Sequence, residues 1–190
     1  MRPTASLILV ALAGAGSAAA YPEGAPWGAA NPEAAESCSD CHYDYEPVHD
    51  SSALSIAGLP RIAVAGTSYE FRLRFTPDSA AIAGFQLLAA AERDAGSIRS
   101  DDPAVESIGA ASRSTMPAAA AGGACWTVRW RAPQDGGAVV TLHLAAAEAN
   151  DDQSPLGDRI HYWSYRLDVV HAPDARIGVS PPVTTEGDPP

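Results

Sequence analysis

The sequence predicts an all-β fold, an antiparallel immunoglobulin-like β-sandwich that follows a short N-terminal attachment segment. The stretch YEFRLRF at 69–75 alternates apolar or aromatic residues with charged ones, which is the period of a half-buried strand. Several short stretches of this kind are separated by turns rich in Gly, Pro and Asp, as in antiparallel sandwiches. Long helical periodicity is missing from the chain.

Five long strands are predicted in order along the chain. The stretch CWTVRWRAP places Trp126, Val128 and Trp130 on one face, and Pro133 ends that strand. The long strands are expected at 69–75, 83–92, 125–133, 138–148 and 159–170. Shorter strands near 54–59, 97–99 and 105–108 bring the total to seven or eight. Residues 116–124 are predicted to form a low-complexity alanine-glycine loop.

The first twenty residues have the pattern of a secretory signal peptide. Arg2 gives a positive start, the stretch from Leu7 to Leu12 gives a short apolar core, and small residues end at Ala20 before a cleavage site. The apolar run is too short to span a membrane, and no later stretch is long enough. The mature protein is therefore expected in a periplasm or outside the cell.

The remaining chain is predicted to hold one domain with a lead and a tail. Residues 21–53 form an extended lead and the attachment segment, residues 54–171 form the sandwich, and residues 172–190 form a disordered proline-rich tail. The chain has 12 basic and 23 acidic residues and a formal net charge of −11. Such a charge disfavours nucleic acid and anionic membranes as partners, and the sequence shows no basic patch.

The stretch CSDCH at 38–42 is the most informative motif of the chain. Covalent haem attachment needs two thiols that reach two vinyl groups, and a histidine that reaches the iron from the same turn. Two residues separate Cys38 from Cys41, and His42 follows directly, which is the spacing of a c-type haem site. The sequence predicts haem c on Cys38 and Cys41, with its iron bound by His42 as the proximal ligand.

Three other interpretations of the motif remain open. A structural zinc site needs four Cys or His ligands, but Cys125 stands alone and His49 would have to complete the set. A thioredoxin-like redox pair belongs at the start of a helix in a βαβ unit, which this chain does not show. The third alternative is a small disulfide between Cys38 and Cys41. Cys125 itself is expected to be a half-buried free thiol.

The motif and the strands together resemble a known family. CSDCH is followed by GTSYEFRLRF, AGFQLLAA, WTVRWRAP and EANDDQSPLGDRIH. This combination resembles secreted bacterial c-type haem proteins with a reeler-like (reelin-type) β-sandwich. The resemblance covers roughly residues 38–170, and Ala65-Gly66 stands where such domains often have Pro-Gly. It implies a sandwich fold and a haem, and it names no substrate.

The second axial position of a c-type haem iron decides its chemistry, because a filled position favours electron transfer and an open one favours ligand binding. The candidates are Met116, His49, His143, His161 and His171. We expect His161 to be the distal ligand, since it shares a strand face with three apolar or aromatic residues: Trp163, Tyr165 and Leu167. Asp158 is expected nearby to orient its imidazole. His49 is the alternative distal ligand, although it needs a tight return past Pro47.

These patterns favour a periplasmic monohaem c-type cytochrome that exchanges single electrons with an unidentified redox protein. Two alternatives stay open. The sandwich is a binding module that carries a structural haem, or the iron has an open site and the protein is a haem sensor or a peroxidase-like enzyme. No catalytic triad, paired carboxylates or phosphate loop is visible, so an electron carrier or binding protein is expected rather than an enzyme.

Overall fold

Two β-sheets account for most of the residues that the computed structural model describes, which are 25–152 and 154–171. The predicted signal peptide and the predicted proline-rich tail lie outside these residues. The elements are α1 (Cys38–Cys41), β1 (Leu54–Ala57), β2 (Ile62–Val64), β3 (Ser68–Phe75), β4 (Ile82–Ala90), β5 (Ser97–Arg99), β6 (Val105–Ile108), β7 (Ala111–Ser114), β8 (Ala118–Ala119), β9 (Ala124–Arg131), β10 (Ala138–Ala149) and β11 (Arg159–Val170). Within the described ranges, no helix is long and apolar enough to cross a membrane.

The strands form a four-stranded and a seven-stranded sheet. The smaller sheet has the order β1-β3-β9-β5, and the larger one has the order β2-β11-β10-β4-β7-β6, with β8 also pairing with β4. Each long strand forms where the sequence alternates. In the pair β3–β9, for example, Phe71 lies opposite Val128 and Leu73 lies opposite Trp126, so both apolar faces point the same way.

The hydrophobic core lies between the two sheets. Phe85 of the larger sheet packs against Trp126 of the smaller one, with ring centroids 4.8 Å apart. Trp130 is fully buried, and its indole N–H donates a hydrogen bond to the carbonyl oxygen of Ala95 at 2.8 Å. Burial of a large apolar side chain contributes about 1.5–3 kcal/mol, so this layer is the main source of stability. The all-β sandwich expected from the sequence is confirmed.

Three strands were not predicted, and one of them changes the type of the sheet. β2 runs parallel to β11, with Ile62 beside Asp168, so the larger sheet is mixed and the expectation of a purely antiparallel sandwich is wrong there. β7 and β8 are also additional, and β8 lies inside the predicted alanine-glycine loop. These strands have only two to four residues and show no readable alternation. They form because the longer strands β11 and β4 have backbone N–H and C=O groups at their edges that need hydrogen-bond partners.

The outer face of the smaller sheet collects five exposed arginines, contrary to the expectation that the chain has no basic patch. They are Arg72, Arg74, Arg99, Arg129 and Arg131. Alternate residues of β3, β5 and β9 point away from the core, and the register places Arg99 beside Arg129. Arg129 pairs with Glu70 at 3.2 Å and with Asp101 at 3.3 Å. The patch is invisible in the sequence because its members come from separate strands.

Residues 25–37 pack on the outer face of the larger sheet. They follow a series of turns, where the sequence predicted an extended lead. Gln86 of β4 holds them through both ends of its side-chain amide. Its Nε2 donates to the carbonyl oxygen of Pro26 at 2.7 Å, and its Oε1 accepts from the backbone N–H of Ala30 at 2.8 Å. Ala30 is completely buried against this face, so the segment is part of the folded domain.

Arg113 of β7 is a second anchor for the same segment. Its guanidinium donates to the carbonyl oxygen of Ala25 and lies over the ring of Trp27, 4.3 Å from the ring centroid. The carboxylate of Glu106 accepts from the other side at 3.0 Å. Stacking and ion pairing together fix the planar guanidinium against the sheet.

Replacing Gln86 by Leu should release residues 25–37 from the sheet. The change keeps the side-chain volume but leaves the buried carbonyl of Pro26 and N–H of Ala30 without partners, which costs about 2–4 kcal/mol. Urea denaturation should show the loss of stability, and limited proteolysis should show faster cleavage within residues 25–37. Gln134→Leu, at an exposed glutamine, is the matched control. Unchanged protection of the segment in Gln86→Leu would contradict this account.

Candidate functional site

A groove of about 930 Å³ lies on the outer face of the seven-stranded sheet. Its walls come from residues 25–42, from the end of β7 with the connection that follows it, and from the loop between β10 and β11. Cys38, Cys41 and His42 all line this groove. The motif singled out in the sequence therefore lies at the edge of a cavity whose volume is typical of a site for a small-molecule ligand or cofactor.

The floor of the groove is made of small side chains. Gly84 of β4 and Ala145, Ala147 and Ala149 of β10 line it. Gly84 and Ala147 lie opposite each other in the register, and alternate residues of both strands face away from the core. Larger side chains at these positions would fill the space above the sheet. The alanine run of β10 is thus a physical reason that the groove exists.

The one-turn helix α1 is fixed at its start by two neighbouring side chains. The carboxylate of Asp40 accepts hydrogen bonds from the backbone N–H of Ser37 at 2.6 Å and from its hydroxyl at 3.0 Å. The hydrogen bond from the backbone lowers the pKa of Asp40, with a smaller contribution from the hydroxyl. The hydroxyl oxygen of Tyr162 in β11 accepts from the backbone N–H of Ser39 at 3.0 Å. The turn is therefore held both internally and against the sheet.

The two thiols of the motif have different surroundings. Cys38 is half-buried and packs against a small apolar cluster that includes Ala30, Ile160 and Tyr162. Burial raises the pKa of Cys38 to about 12, with a further contribution from the neighbouring Cys41. Cys41 is exposed at the edge of the groove, and both thiols are free. Cys125, expected to be half-buried, is also free and lies exposed on β9 of the other sheet.

His42 meets a buried carboxylate. Its Nδ1 lies 3.1 Å from Oδ2 of Asp158, whose side chain is only 5% exposed. The contact has the distance of an ion pair without the angles of a hydrogen bond, so Nδ1 is a buried polar atom that still needs a well-directed partner. Burial raises the pKa of Asp158, and this is opposed by the hydrogen bond from the backbone N–H of Asn150 and by the electrostatic attraction of the nearby His42.

This pair fits the way a metal-binding histidine is usually supported. A ligating imidazole normally uses one ring nitrogen for the metal while the other donates to a carboxylate or a carbonyl, which fixes the ring. Asp158 faces Nδ1 of His42, so Nε2 is the nitrogen left for a ligand. The sequence suggested Asp158 as a partner for His161, whereas the structure places it beside His42.

His161 lies on the opposite face of β11 from the motif. It points into the interior of the sandwich, where its ring packs edge-on against Phe75 at a centroid distance of 5.0 Å. Both ring nitrogens are engaged, Nδ1 with the hydroxyl of Ser51 at 2.8 Å and Nε2 with the carboxylate of Glu148 at 3.0 Å. This geometry disfavours His161 as a distal iron ligand, because the groove lies on the opposite face of β11.

The other candidate ligands fall in different places. His49 is exposed and stacks on Tyr162 with ring centroids 5.6 Å apart, outside the groove lining. His143 is on the outer face of β10, as predicted, but it is half-buried and does not line the groove, and His171 is exposed at the end of β11. Met116, which the sequence placed in a flexible loop, lines the same groove as His42. The sequence does not show that Met116 and His42 lie in the same groove, because they are far apart along the chain.

The zinc alternative gains no support from the geometry. Across the described ranges, no three or more side chains of His, Cys, Asp or Glu are grouped so that they could hold a metal ion. A haem iron takes most of its ligands from the porphyrin and needs only one or two from the protein. This observation therefore bears on zinc and leaves the haem prediction as it stands.

No protein-family model matches the sequence, and no curated protein matches it. Similar solved structures include the Reelin-N domain of F-spondin, with a TM-score of 0.48, 18% identity and coverage of 69% of this chain and 96% of that one. A human F-spondin reeler domain matches with a TM-score of 0.43 and 19% identity, and the match covers 65% of this chain and 92% of that one. The protein AvmM, described as catalysing macrocyclization in alchivemycin A biosynthesis, matches with a TM-score of 0.45 and 14% identity. The match covers 68% of this chain and 94% of that one. At such low TM-scores and identities, these likenesses carry no argument about function.

The environments of the three thiols predict a clear order of alkylation in haem-free protein expressed without residues 1–20. Cys38 should react far more slowly than Cys41 and Cys125, because a pKa of about 12 instead of 9.0 leaves roughly a thousandfold less thiolate at neutral pH. Iodoacetamide labelling followed by peptide mass spectrometry measures the order. In urea the three rates should converge. Equal rates in the native protein would show that Cys38 is not packed against the sheet.

Proposed function

We propose that this chain is a periplasmic monohaem c-type cytochrome that binds haem c covalently in the groove and transfers single electrons. The observation that carries the proposal is that the CSDCH turn lines a groove of about 930 Å³, in which His42 lies beside a buried carboxylate. The spacing of the motif specifies the cofactor class, and the groove supplies the space. When bound, haem supplies an iron centre that alternates between two oxidation states.

The residues of this chain would hold haem from one side of the groove. Cys38 and Cys41 are the thiols for the two thioether bonds, and His42 offers Nε2 as the proximal ligand. Asp158 lies 3.1 Å from Nδ1, and with a well-directed hydrogen bond it would orient the imidazole and make it a better electron donor. The floor of Gly and Ala leaves room for a flat ring above the sheet, and its contact with that floor would exclude water from one ring face.

Carboxylates dominate the charges around the groove. Its acidic lining residues are Glu36, Asp40, Asp151, Asp152 and Asp158, whereas Arg113 is the one arginine among the lining residues that the structure describes. Negative charge near an iron centre stabilises its oxidised form and lowers the reduction potential. Arg113 is the cation available to a propionate group, although it already contacts Glu106.

The same charges define the class of redox partner that fits. A protein with a basic docking surface is attracted to the acidic edge of the groove, and an acidic one is repelled. Complementary charge mainly raises the rate of association and orients the encounter, so the partner class should be visible in kinetics.

Haem attachment is the direct test of the proposal. Protein matured with a c-type attachment system should keep haem on a denaturing gel, and Cys38→Ser, Cys41→Ser and His42→Ala should each lose or strongly reduce it. Cys125→Ser is the matched control, since its thiol lies on the other sheet, and it should retain full haem. A wild-type band without haem at normal protein yield would overturn the proposed function.

A second prediction concerns the groove itself. Replacing Ala147 by Leu should block haem incorporation while leaving the fold intact, because the longer side chain occupies the floor. Val139→Leu is the control, at an exposed position on the same strand and the same outer face. Haem content per protein and circular dichroism of both variants measure the effect. Full haem content in Ala147→Leu would place the cofactor elsewhere.

Electron exchange should depend on salt in a direction set by the partner's charge. Reduction by a cationic protein should be fast at low ionic strength and slow down as salt rises, because about 0.1 M salt screens charges beyond roughly 10 Å. Stopped-flow rates with one cationic and one anionic reductant measure the slopes. The double variant Glu36→Gln/Asp151→Asn should flatten the slope, whereas Glu92→Gln, away from the groove, should not. A faster reaction with the anionic protein would contradict the assignment of the docking surface.

A further inference from the structure

We propose that the thioether sulfur of Met116 is the second axial ligand of the iron. The inference rests on the proposed function and deepens it, because the second ligand separates an electron carrier from an open-site sensor or peroxidase-like protein. It replaces His161 and His49, the ligands expected from the sequence.

Groove lining distinguishes Met116 from every histidine that was considered. Met116 lines the same groove as Cys38, Cys41 and His42. Among the described residues, His42 is the one histidine that lines it. A ligand must come from a side chain that faces the cofactor space, so Met116 is the candidate that the fold brings to the right cavity.

The backbone around Met116 is held more firmly than the alanine-rich sequence suggests. The connection from β7 to β8 contains three residues, 115–117, and both strands pair with β4, which forms part of the groove floor. The backbone N–H of Thr115 donates to the carbonyl oxygen of Ala104 at 2.9 Å. Pro117 further restricts the chain directly after Met116. The position of the methionine relative to the groove is therefore fixed by the sheet.

The side chain itself is free to reach into the groove. Met116 is 57% exposed, although a large apolar side chain gains by being covered. It is unbranched and flexible, so it can adjust its sulfur to a ligand without movement of the backbone. Thioether ligation would give this exposed side chain an apolar neighbour and would close the groove over the cofactor.

The histidines are poorly suited for the same role. Both nitrogens of His161 are engaged by Ser51 and Glu148 on the opposite face of β11. The ring of His49 stacks on Tyr162 outside the groove. Ligation by either would require the present contacts to break, whereas Met116 would lose none of the contacts described above.

The chain contains two methionines, Met1 and Met116. Because Met1 precedes the cleavage site expected after Ala20, a methionine-to-iron signal in the mature protein reports Met116 alone. This makes the assignment directly measurable in holoprotein produced with a c-type maturation system and supplied with haem.

The experiment compares wild type with Met116→Leu, Met116→His and His49→Ala. Oxidised wild type should be low-spin and show the weak charge-transfer band at the red end of the spectrum that a methionine–iron bond produces. Met116→Leu should lose this band and become high-spin while its covalent haem content and its far-ultraviolet circular dichroism stay unchanged. Met116→His should restore a low-spin iron with bis-histidine electron paramagnetic resonance signals. His49→Ala should match wild type.

Three outcomes would overturn the assignment. A high-spin wild type with covalent haem means an open site, and a low-spin wild type that is unaffected by Met116→Leu means a different ligand. Loss of the low-spin state in His49→Ala alone means a local histidine. Each of these leaves covalent attachment, and therefore haem c binding, intact. A wild type without covalent haem on a denaturing gel would instead reject the proposed function together with this ligand.

Discussion

The packing of residues 25–52 against the larger sheet positions the two thiols of the motif and His42 at the groove. Gln86 holds the start of this segment through two hydrogen bonds, and Tyr162 holds the helical turn through one. The end of the segment runs beside β11, where the backbone of Val48 exchanges hydrogen bonds with Ile160 and Tyr162 at 2.8 Å. Without these contacts, the two thiols and His42 would belong to a loose leader, since a four-residue helix is not stable alone. Because the segment is held against the sheet, the CSDCH motif forms one wall of the groove.

The two faces of β11 explain why the sequence could not show that His161 and the CSDCH motif lie on opposite sides of this strand. Alternation shows that His161 and Tyr165 share one face and that Ile160 and Tyr162 share the other. It does not show which face meets residues 25–52, because that depends on contacts between residues far apart in the chain. The aromatic face looked like a wall for a cofactor, but it packs against Phe75 inside the sandwich. The outer face, with its small residues in the neighbouring β10, is the one that the motif meets.

The sequence predicted what short-range patterns encode. All five long strands and the three shorter ones lie close to where the sequence predicted them, and CSDCH forms one compact turn. Features that need distant pairing were missed. β2, β7 and β8 are too short for a pattern, the arginine face is assembled from three strands, and Met116 reaches the groove because β7 and β8 both pair with β4. Small residues are equally uninformative alone, since Gly84 and Ala147 become a floor only when the register sets them side by side.

The charged residues are distributed unevenly between the two outer faces of the sandwich. The groove on one outer face is surrounded mainly by carboxylates, while the outer face of the other sheet carries five arginines, of which Arg129 is neutralised by Glu70 and Asp101. These faces lie on opposite sides of the sandwich, so among the described residues the arginines of one face and the carboxylates of the groove are separated along the normal to the sheets. In the field of a cationic partner such a molecule turns its groove towards the partner before contact. Under the proposed electron-transfer function, this orientation would bring the groove close to a cationic partner from the first encounter. The acidic composition names no function by itself. Under the proposed function, the carboxylates that line the groove would attract a cationic partner to the side of the molecule where the cofactor binds.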